Sequence, residues 1–71
     1  MSDIMKIRML AMLDEEIKEV EGTISNNRIW MLGSNNEDDM ILFQSNIDDL
    51  EEYKEALHKM RTQVTRGEFN V

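Results

Sequence analysis

The chain contains no cysteine, no proline and only three glycines among its 71 residues. Without cysteine, disulfides and thiolate metal sites are excluded, which fits a reducing compartment, and we expect a cytoplasmic protein. A single histidine excludes a histidine-rich metal site within one chain, so we expect neither a metal nor another cofactor. The absence of proline and the scarcity of glycine favour helices.

Long apolar runs are also missing. None approaches the roughly 20 residues that cross a bilayer, so no membrane association is expected. Lys6 and Arg8 interrupt the apolar N-terminal stretch, which we interpret as mature protein rather than a signal peptide. The formal net charge of −7 argues against nucleic acid as a partner, because phosphate contacts need clustered Lys and Arg.

The second half of the chain carries the clearest periodic pattern. Residues 38–66 contain no glycine, and their large apolar residues recur at helical spacing, with Gly67 as a candidate stop. Such spacing places the apolar side chains on one stripe of an α-helix. The stripe consists of Met40, Phe43, Ile47, Leu50, Leu57 and Val64.

A similar stripe runs through the first half, where Ser2 is placed to cap the helix N-terminus. Gly22 costs about 1 kcal/mol relative to alanine inside a helix. Ile24 and Met31 nevertheless keep the phase of the preceding residues, so we expect one helix through Gly22 rather than a break. The stripe consists of Leu10, Leu13, Ile17, Val20, Ile24 and Met31, with Asn27 at one position.

A turn is predicted between the two stripes. Gly33 can take the left-handed conformation that ends a helix. Ser34 and Glu37 form a capping-box pattern, with Asn35 or Asn36 as alternative caps. We predict an all-α fold with a single domain, an antiparallel two-helix hairpin. Its parts are a helix over about 2–32, a turn over 33–36, a helix over about 37–66 and a loose tail over 67–71.

The two stripes can be aligned if the chain folds back between residues 33 and 34. The paired residue numbers then have a constant sum, as antiparallel helices require. The predicted pairs are Leu10 with Leu57, Ile17 with Leu50, Val20 with Ile47, and Ile24 with Phe43. The same alignment predicts a basic end that contains Lys6, Arg8, Lys59, Arg61 and Arg66.

Many large apolar residues lie off these stripes, more than a soluble monomer usually exposes. We therefore predict self-association into a four-helix bundle or a higher oligomer. The alternative is a groove that binds a helix of another protein, lined by adaptable methionines. The off-stripe residues are Ile4, Met5, Ile7, Met9, Met12 and Met60 near the open end, and Ile29, Trp30, Leu32, Ile41 and Leu42 near the turn.

Few residues suggest chemistry. The carboxylates fall on predicted solvent faces, and His58 has no cysteine or serine partner for nucleophilic catalysis, so no catalytic residue is predicted. Arg28 and Trp30 together have the composition of a binding hot spot or a stacking site, although Trp30 can instead pack against Ile41 or Phe43. Basic ends of two subunits, with Arg61 and Arg66, could converge on a small anionic ligand such as a nucleotide.

The run Ile41-Leu42-Phe43-Gln44-Ser45-Asn46-Ile47-Asp48-Asp49-Leu50 resembles the small sporulation-type aspartyl-phosphate phosphatases. Those are helical hairpins whose second helix carries a Ser-Gln-x-Leu-Asp signature. The resemblance covers about a third of the chain. Aligning Ser45 and Asp49 puts Asn46 in place of the glutamine and Asp48 in place of the leucine. The resemblance implies removal of phosphate from a response-regulator aspartate, with Ser45 and Asp49 one turn apart on an exposed face.

Our principal functional expectation is a small acidic regulatory or inhibitory protein without enzymatic activity. It would oligomerise and bind another protein through off-stripe apolar residues, including Ile41 and Leu42, and through acidic helix surfaces. The alternatives are the phosphatase-like hairpin and an oligomer that sequesters a small anionic ligand.

Overall fold

The computed structural model describes residues 2–67, which form a hairpin of two long helices. Helix α1 spans Asp3–Gly33 and helix α2 spans Glu37–Arg66, and a three-residue loop joins them. The predicted all-helical hairpin is therefore confirmed. The rod measures 51 × 15 × 13 Å, so it is only one helix pair thick. Apart from Gly67, the predicted loose tail lies outside the described residues.

Helix α1 begins at the predicted cap and continues without a break through Gly22. The Ser2 hydroxyl accepts a hydrogen bond from the Met5 amide at 3.2 Å, and Asp3 places a carboxylate in the first turn. Ile24 is buried in the same core as Ile17, on the other side of Gly22. Burial of this continuous stripe outweighs the cost of one helical glycine.

The turn differs from the prediction in two respects. The Asn36 side-chain oxygen caps α2 by accepting from the amides of Asp38 and Asp39, so the predicted Ser34 capping box is wrong and the alternative cap is right. Because α2 begins at Glu37, Ser34 lies two residues too early to be its N-cap. Gly33 is still helical, whereas Gly67, with φ 73°, takes the left-handed conformation that closes α2.

The core is a single file of apolar side chains between the two helices. One polar residue, Asn27, is buried in the same file and is 4% exposed. Leu13, Met31 and Leu50 pack against the core from its margins. The buried apolar residues among those described are Ile17, Val20, Ile24, Ile47, Leu57 and Val64.

The helices pair in a different register from the predicted one. Asn27 contacts Asn46 rather than Met40, and Asp14 is paired with Arg61. These contacts shift α2 by about one heptad, or roughly 10 Å along the axis. Apolar residues repeat at heptad spacing in both helices, so a shift of one heptad again brings apolar against apolar. The predicted pairs of Leu10 with Leu57, Ile17 with Leu50, Val20 with Ile47, and Ile24 with Phe43 are therefore wrong.

Candidate interaction surface

One long side of the hairpin is held by ion pairs between the helices, and we call it the ion-paired face. The partners are partly exposed, so solvent screens each pair and its contribution to stability is small. The main consequence is that this side presents charge to solvent. The pairs are Arg61 Nε with Asp14 Oδ1 at 2.6 Å, Arg28 Nη2 with Glu51 Oε1 at 3.1 Å, and Lys54 Nζ with Glu21 Oε1 at 3.7 Å.

The other long side carries an apolar groove near the open end of the hairpin, with a volume of about 360 Å³. Val64 and Leu57 are fully or almost fully buried beneath it, whereas Met12 is 72% exposed. Flexible thioether side chains can adapt to a partner of irregular shape. We call this the methionine groove, and its lining residues are Met9, Met12, Leu13, Glu16, Tyr53, Leu57, Met60 and Val64.

A hydrogen bond connects the two helices at this groove. The Tyr53 hydroxyl donates to Glu16 Oε1 at 3.1 Å. This bond to a carboxylate raises the pKa of Tyr53, with smaller contributions from desolvation and from the negative charge of Glu16. The phenol therefore stays protonated and holds one wall of the groove in place.

Two apolar residues near the turn lie on the same side as the groove. Trp30 lies about five turns beyond Met12 in α1, and Met60 lies equally far beyond Leu42 in α2. Because this separation is close to a whole number of turns, the members of each pair share one face of their helix. Trp30 is 54% exposed and Leu42 is 56% exposed. We call the side that carries the methionine groove, Trp30 and Leu42 the groove face.

Trp30 also makes the contact that the sequence suggested. Its ring packs against Phe43, with centroids 6.1 Å apart and planes inclined by 48°. The structure does not bring Arg28 to this ring, because residues two apart on a helix point about 200° apart. Arg28 instead pairs with Glu51 on the ion-paired face. The predicted combination of arginine and tryptophan is therefore not formed within one chain.

The outer surface of α2 near the turn carries the remaining candidates. Ile41 is 68% exposed, and Ser45 and Asp49 are exposed one turn apart. Nearby, the Gln44 amide donates to Asp48 at 2.9 Å. This surface is therefore apolar at one point and otherwise polar and acidic.

The predicted basic end is largely compensated by carboxylates. Arg61 donates to Asp14, and this hydrogen bond together with the negative charge raises the pKa of the guanidinium. Lys59 pairs with Glu55 within α2 at 3.6 Å. Arg66 is exposed in the last turn of α2. Compensation of Arg61 lowers the positive potential that an anionic ligand requires.

Charge is distributed more unevenly than the sequence analysis recognised. Residues 29–53 contain seven Asp or Glu and no Lys or Arg, whereas the rest of the chain contains eight of each kind. Residues 29–53 therefore carry a net charge of −7, although Arg28, one residue before this range, pairs with Glu51 within it. The acidic range is visible in the sequence alone when Asp, Glu, Lys and Arg are counted in successive segments of the chain.

Residues 2–67 contain neither a cluster of metal ligands nor a membrane-spanning helix. No group of three or more His, Cys, Asp or Glu side chains in that range is arranged to hold a metal ion. Neither α1 nor α2 is long and apolar enough to cross a membrane. Comparison of the chain with protein-family models, with curated proteins and with solved structures finds no match.

Proposed function

We propose that this chain is a non-enzymatic regulatory or inhibitory protein that self-associates through its groove face and binds another protein near the turn. The difference between the two long sides of the rod is the observation that supports this. Cross-helix ion pairs make one side polar, whereas the other carries the methionine groove, Trp30 and Leu42. The groove face is therefore suited to burial, and the ion-paired face is suited to contact with solvent.

Self-association follows from how little of its apolar surface one hairpin covers. Among the described residues, twelve large apolar side chains are at least 40% exposed. Where such side chains are grouped, as around the methionine groove, the surface is typical of an interaction site in soluble proteins. A second hairpin that covers the groove face would complete a four-helix bundle and leave the ion-paired face in water.

A protein partner fits the surface that such a bundle leaves exposed. On the outer side of α2, the exposed Ile41 lies one turn from Asp38 and Ser45 and two turns from Asp48. Residues 29–53 contain no Lys or Arg. An exposed apolar anchor among carboxylates suits a segment with an apolar contact and flanking Lys or Arg. We therefore propose a cationic amphipathic segment as the target of this surface.

Sedimentation velocity or light scattering tests the self-association. We expect the wild type to be a dimer or higher oligomer, and Met12→Glu combined with Met60→Glu to be a folded monomer with unchanged helical circular dichroism. Ser25→Glu combined with Thr62→Glu is the matched control, because it adds the same two negative charges at exposed positions outside the groove lining. A wild-type monomer at all concentrations contradicts the proposal, as does equal disruption by the control.

Partner capture from the source organism tests the second part. Asp48→Lys should sharply reduce capture of any partner that uses the outer side of α2. Glu15→Lys changes the charge equally at an exposed position on α1, away from the turn and from the groove, and should retain the partner. Loss of the partner in both variants would indicate a general charge effect rather than a docking surface.

A second candidate function has one observation in its favour. Ser45 and Asp49 are exposed one turn apart, as a phosphatase-like hairpin docking on a response regulator requires. A phosphorylated receiver domain would lose its phosphate faster in the presence of the chain, and the Ser45→Ala and Asp49→Ala variants would lose this effect. An unchanged phosphate lifetime with the wild type eliminates this candidate.

A further inference from the structure

We propose that two hairpins pair in opposite directions, so that Trp30 and Leu42 of each copy fill the methionine groove of the other. This inference rests on the proposed self-association and specifies its geometry. Under twofold symmetry one contact is made twice, once at each end of the dimer. The occupant of the groove is therefore a second copy of this chain.

The spacing of the apolar residues matches this arrangement. Met12 and Trp30 are about five helical turns apart on α1, and Leu42 and Met60 have the same separation on α2. Each separation spans roughly 27 Å along the helix axis. The midpoints of the two pairs, Glu21 and Glu51, lie at nearly the same level of the rod, because Glu21 pairs with Lys54, one turn from Glu51. One twofold axis can therefore place the insertion sites of both helices over the groove of the other copy.

The chemistry of the two sites is also complementary. Trp30 is rigid, aromatic and half exposed, although one edge of it already packs on Phe43. The groove supplies Met12 and Met60, and sulfur makes favourable contacts with aromatic rings. Aromatic anchors that enter apolar pockets are the side chains that contribute most to protein association.

Charge selects the antiparallel direction over the parallel one. In a parallel dimer the two halves near the turn lie side by side, and residues 19–33 and 37–51 of each contain eight carboxylates and one cation, Arg28. In an antiparallel dimer each acidic half faces the other half of the rod, in which residues 3–18 and 52–66 contain six carboxylates and seven cations. Lys6 and Arg8 are partly exposed or exposed in that half and would lie at the level of Asp38 and Asp39 of the opposing copy. Like-charge repulsion is thus exchanged for attraction.

Distance measurement between spin labels distinguishes the two directions. The chain has no native cysteine, so Asn35→Cys introduces a single labelling site in the loop. An antiparallel dimer places the two labels toward opposite ends, at roughly 42–48 Å, because residue 35 lies about 21–24 Å from a twofold axis at residues 21 and 51. A parallel dimer places them within about 20–24 Å, or two helix diameters. A label at Ser25→Cys, near the middle of the rod and beside the ion-paired face, should give a shorter distance and shows that labelled protein dimerises.

The outcomes separate this inference from the proposed function. A long Asn35 distance with a shorter Ser25 distance supports the antiparallel dimer. A short distance at both positions overturns the antiparallel arrangement but leaves self-association standing. A monomer in sedimentation overturns both.

Substitution of the inserted side chain provides an independent measurement. We expect Trp30→Ala to weaken association at least about tenfold. Ile29→Ala is the matched control, because Ile29 is similarly exposed at 64% and points about 100° away around α1. Equal affinity of the Trp30→Ala variant and the wild type would remove Trp30 from the interface.

Discussion

At the residue scale, the buried polar residue Asn27 affects how the two helices align. Its amide nitrogen donates to the Thr23 carbonyl at 2.8 Å, and its oxygen accepts from Asn46 at 3.4 Å. A polar residue in the seam of paired helices lowers stability but specifies how the helices align. In the register predicted from the apolar pattern, Asn27 faces Met40 and has no polar partner across the helices. The Asn27–Asn46 contact therefore favours the observed register over its neighbour one heptad away.

We expect Asn27→Leu to stabilise the hairpin and to allow two helix registers, one heptad apart, to be populated together. An apolar side chain at this buried position should raise the free energy of unfolding, measured by urea denaturation, by about 1 kcal/mol. Spin labels on cysteines at the exposed positions Ser25 and Glu52 should then report two distances instead of one. A single unchanged distance would show that packing alone fixes the register.

Tyr53 provides a residue-scale prediction about pH. It is the only tyrosine, so its ultraviolet titration is unambiguous. The hydrogen bond to Glu16 raises its pKa above the ordinary value of about 10. The stabilisation from this bond is present below the pKa of the unfolded chain and is lost as the pH rises through the raised pKa of the folded state. Glu16→Gln should return the titration toward the ordinary value, whereas Glu15→Gln, one residue away, should not.

At the element scale, the two helices differ in how their glycines are used. Gly22 lies inside α1, where an added methyl group would meet nothing within 4 Å. Gly67 closes α2 at φ 73°, a conformation that L-residues with side chains rarely adopt. One glycine therefore weakens its helix, and the other stabilises the end of its helix.

Alanine at these two positions should have opposite effects. We expect Gly22→Ala to raise the free energy of unfolding by about 1 kcal/mol, because helical alanine is favoured over glycine. Gly67→Ala should lower it by about 1 kcal/mol, because the left-handed conformation becomes strained. Thermal denaturation followed by circular dichroism measures both. If Gly22→Ala lowered the free energy of unfolding, a second copy of the chain would have to pack closely against this position.

At the scale of the whole molecule, stability should depend on concentration if the groove face is buried between copies. Association stabilises the folded state by mass action. The melting temperature of the wild type should therefore rise by a few degrees for each tenfold increase in concentration. Met12→Glu with Met60→Glu should remove this dependence. A wild-type melting temperature that is constant over a hundredfold range would indicate that one hairpin is stable alone.

The sequence by itself determined the class of fold, because local pattern carries that information. Periodic apolar residues without proline predicted two helices, and Ile24 and Met31 kept phase across Gly22. Ser2 and Gly67 were found at the ends because capping depends on nearby residues. The exposure of Trp30, Ile41 and Leu42 also followed, since these residues lie off the apolar stripes.

The tertiary structure decided the register of the two helices, because the local apolar pattern is compatible with more than one register. Two registers one heptad apart bury similar apolar stripes, and the chain adopts the one in which Asn27 contacts Asn46 and Asp14 pairs with Arg61. The same pairing placed Arg28 and Trp30 on different sides of α1 and brought Met12, Tyr53 and Met60 together as a groove. Such groupings depend on which side chains meet across two helices, and helical periodicity within one helix does not contain that information.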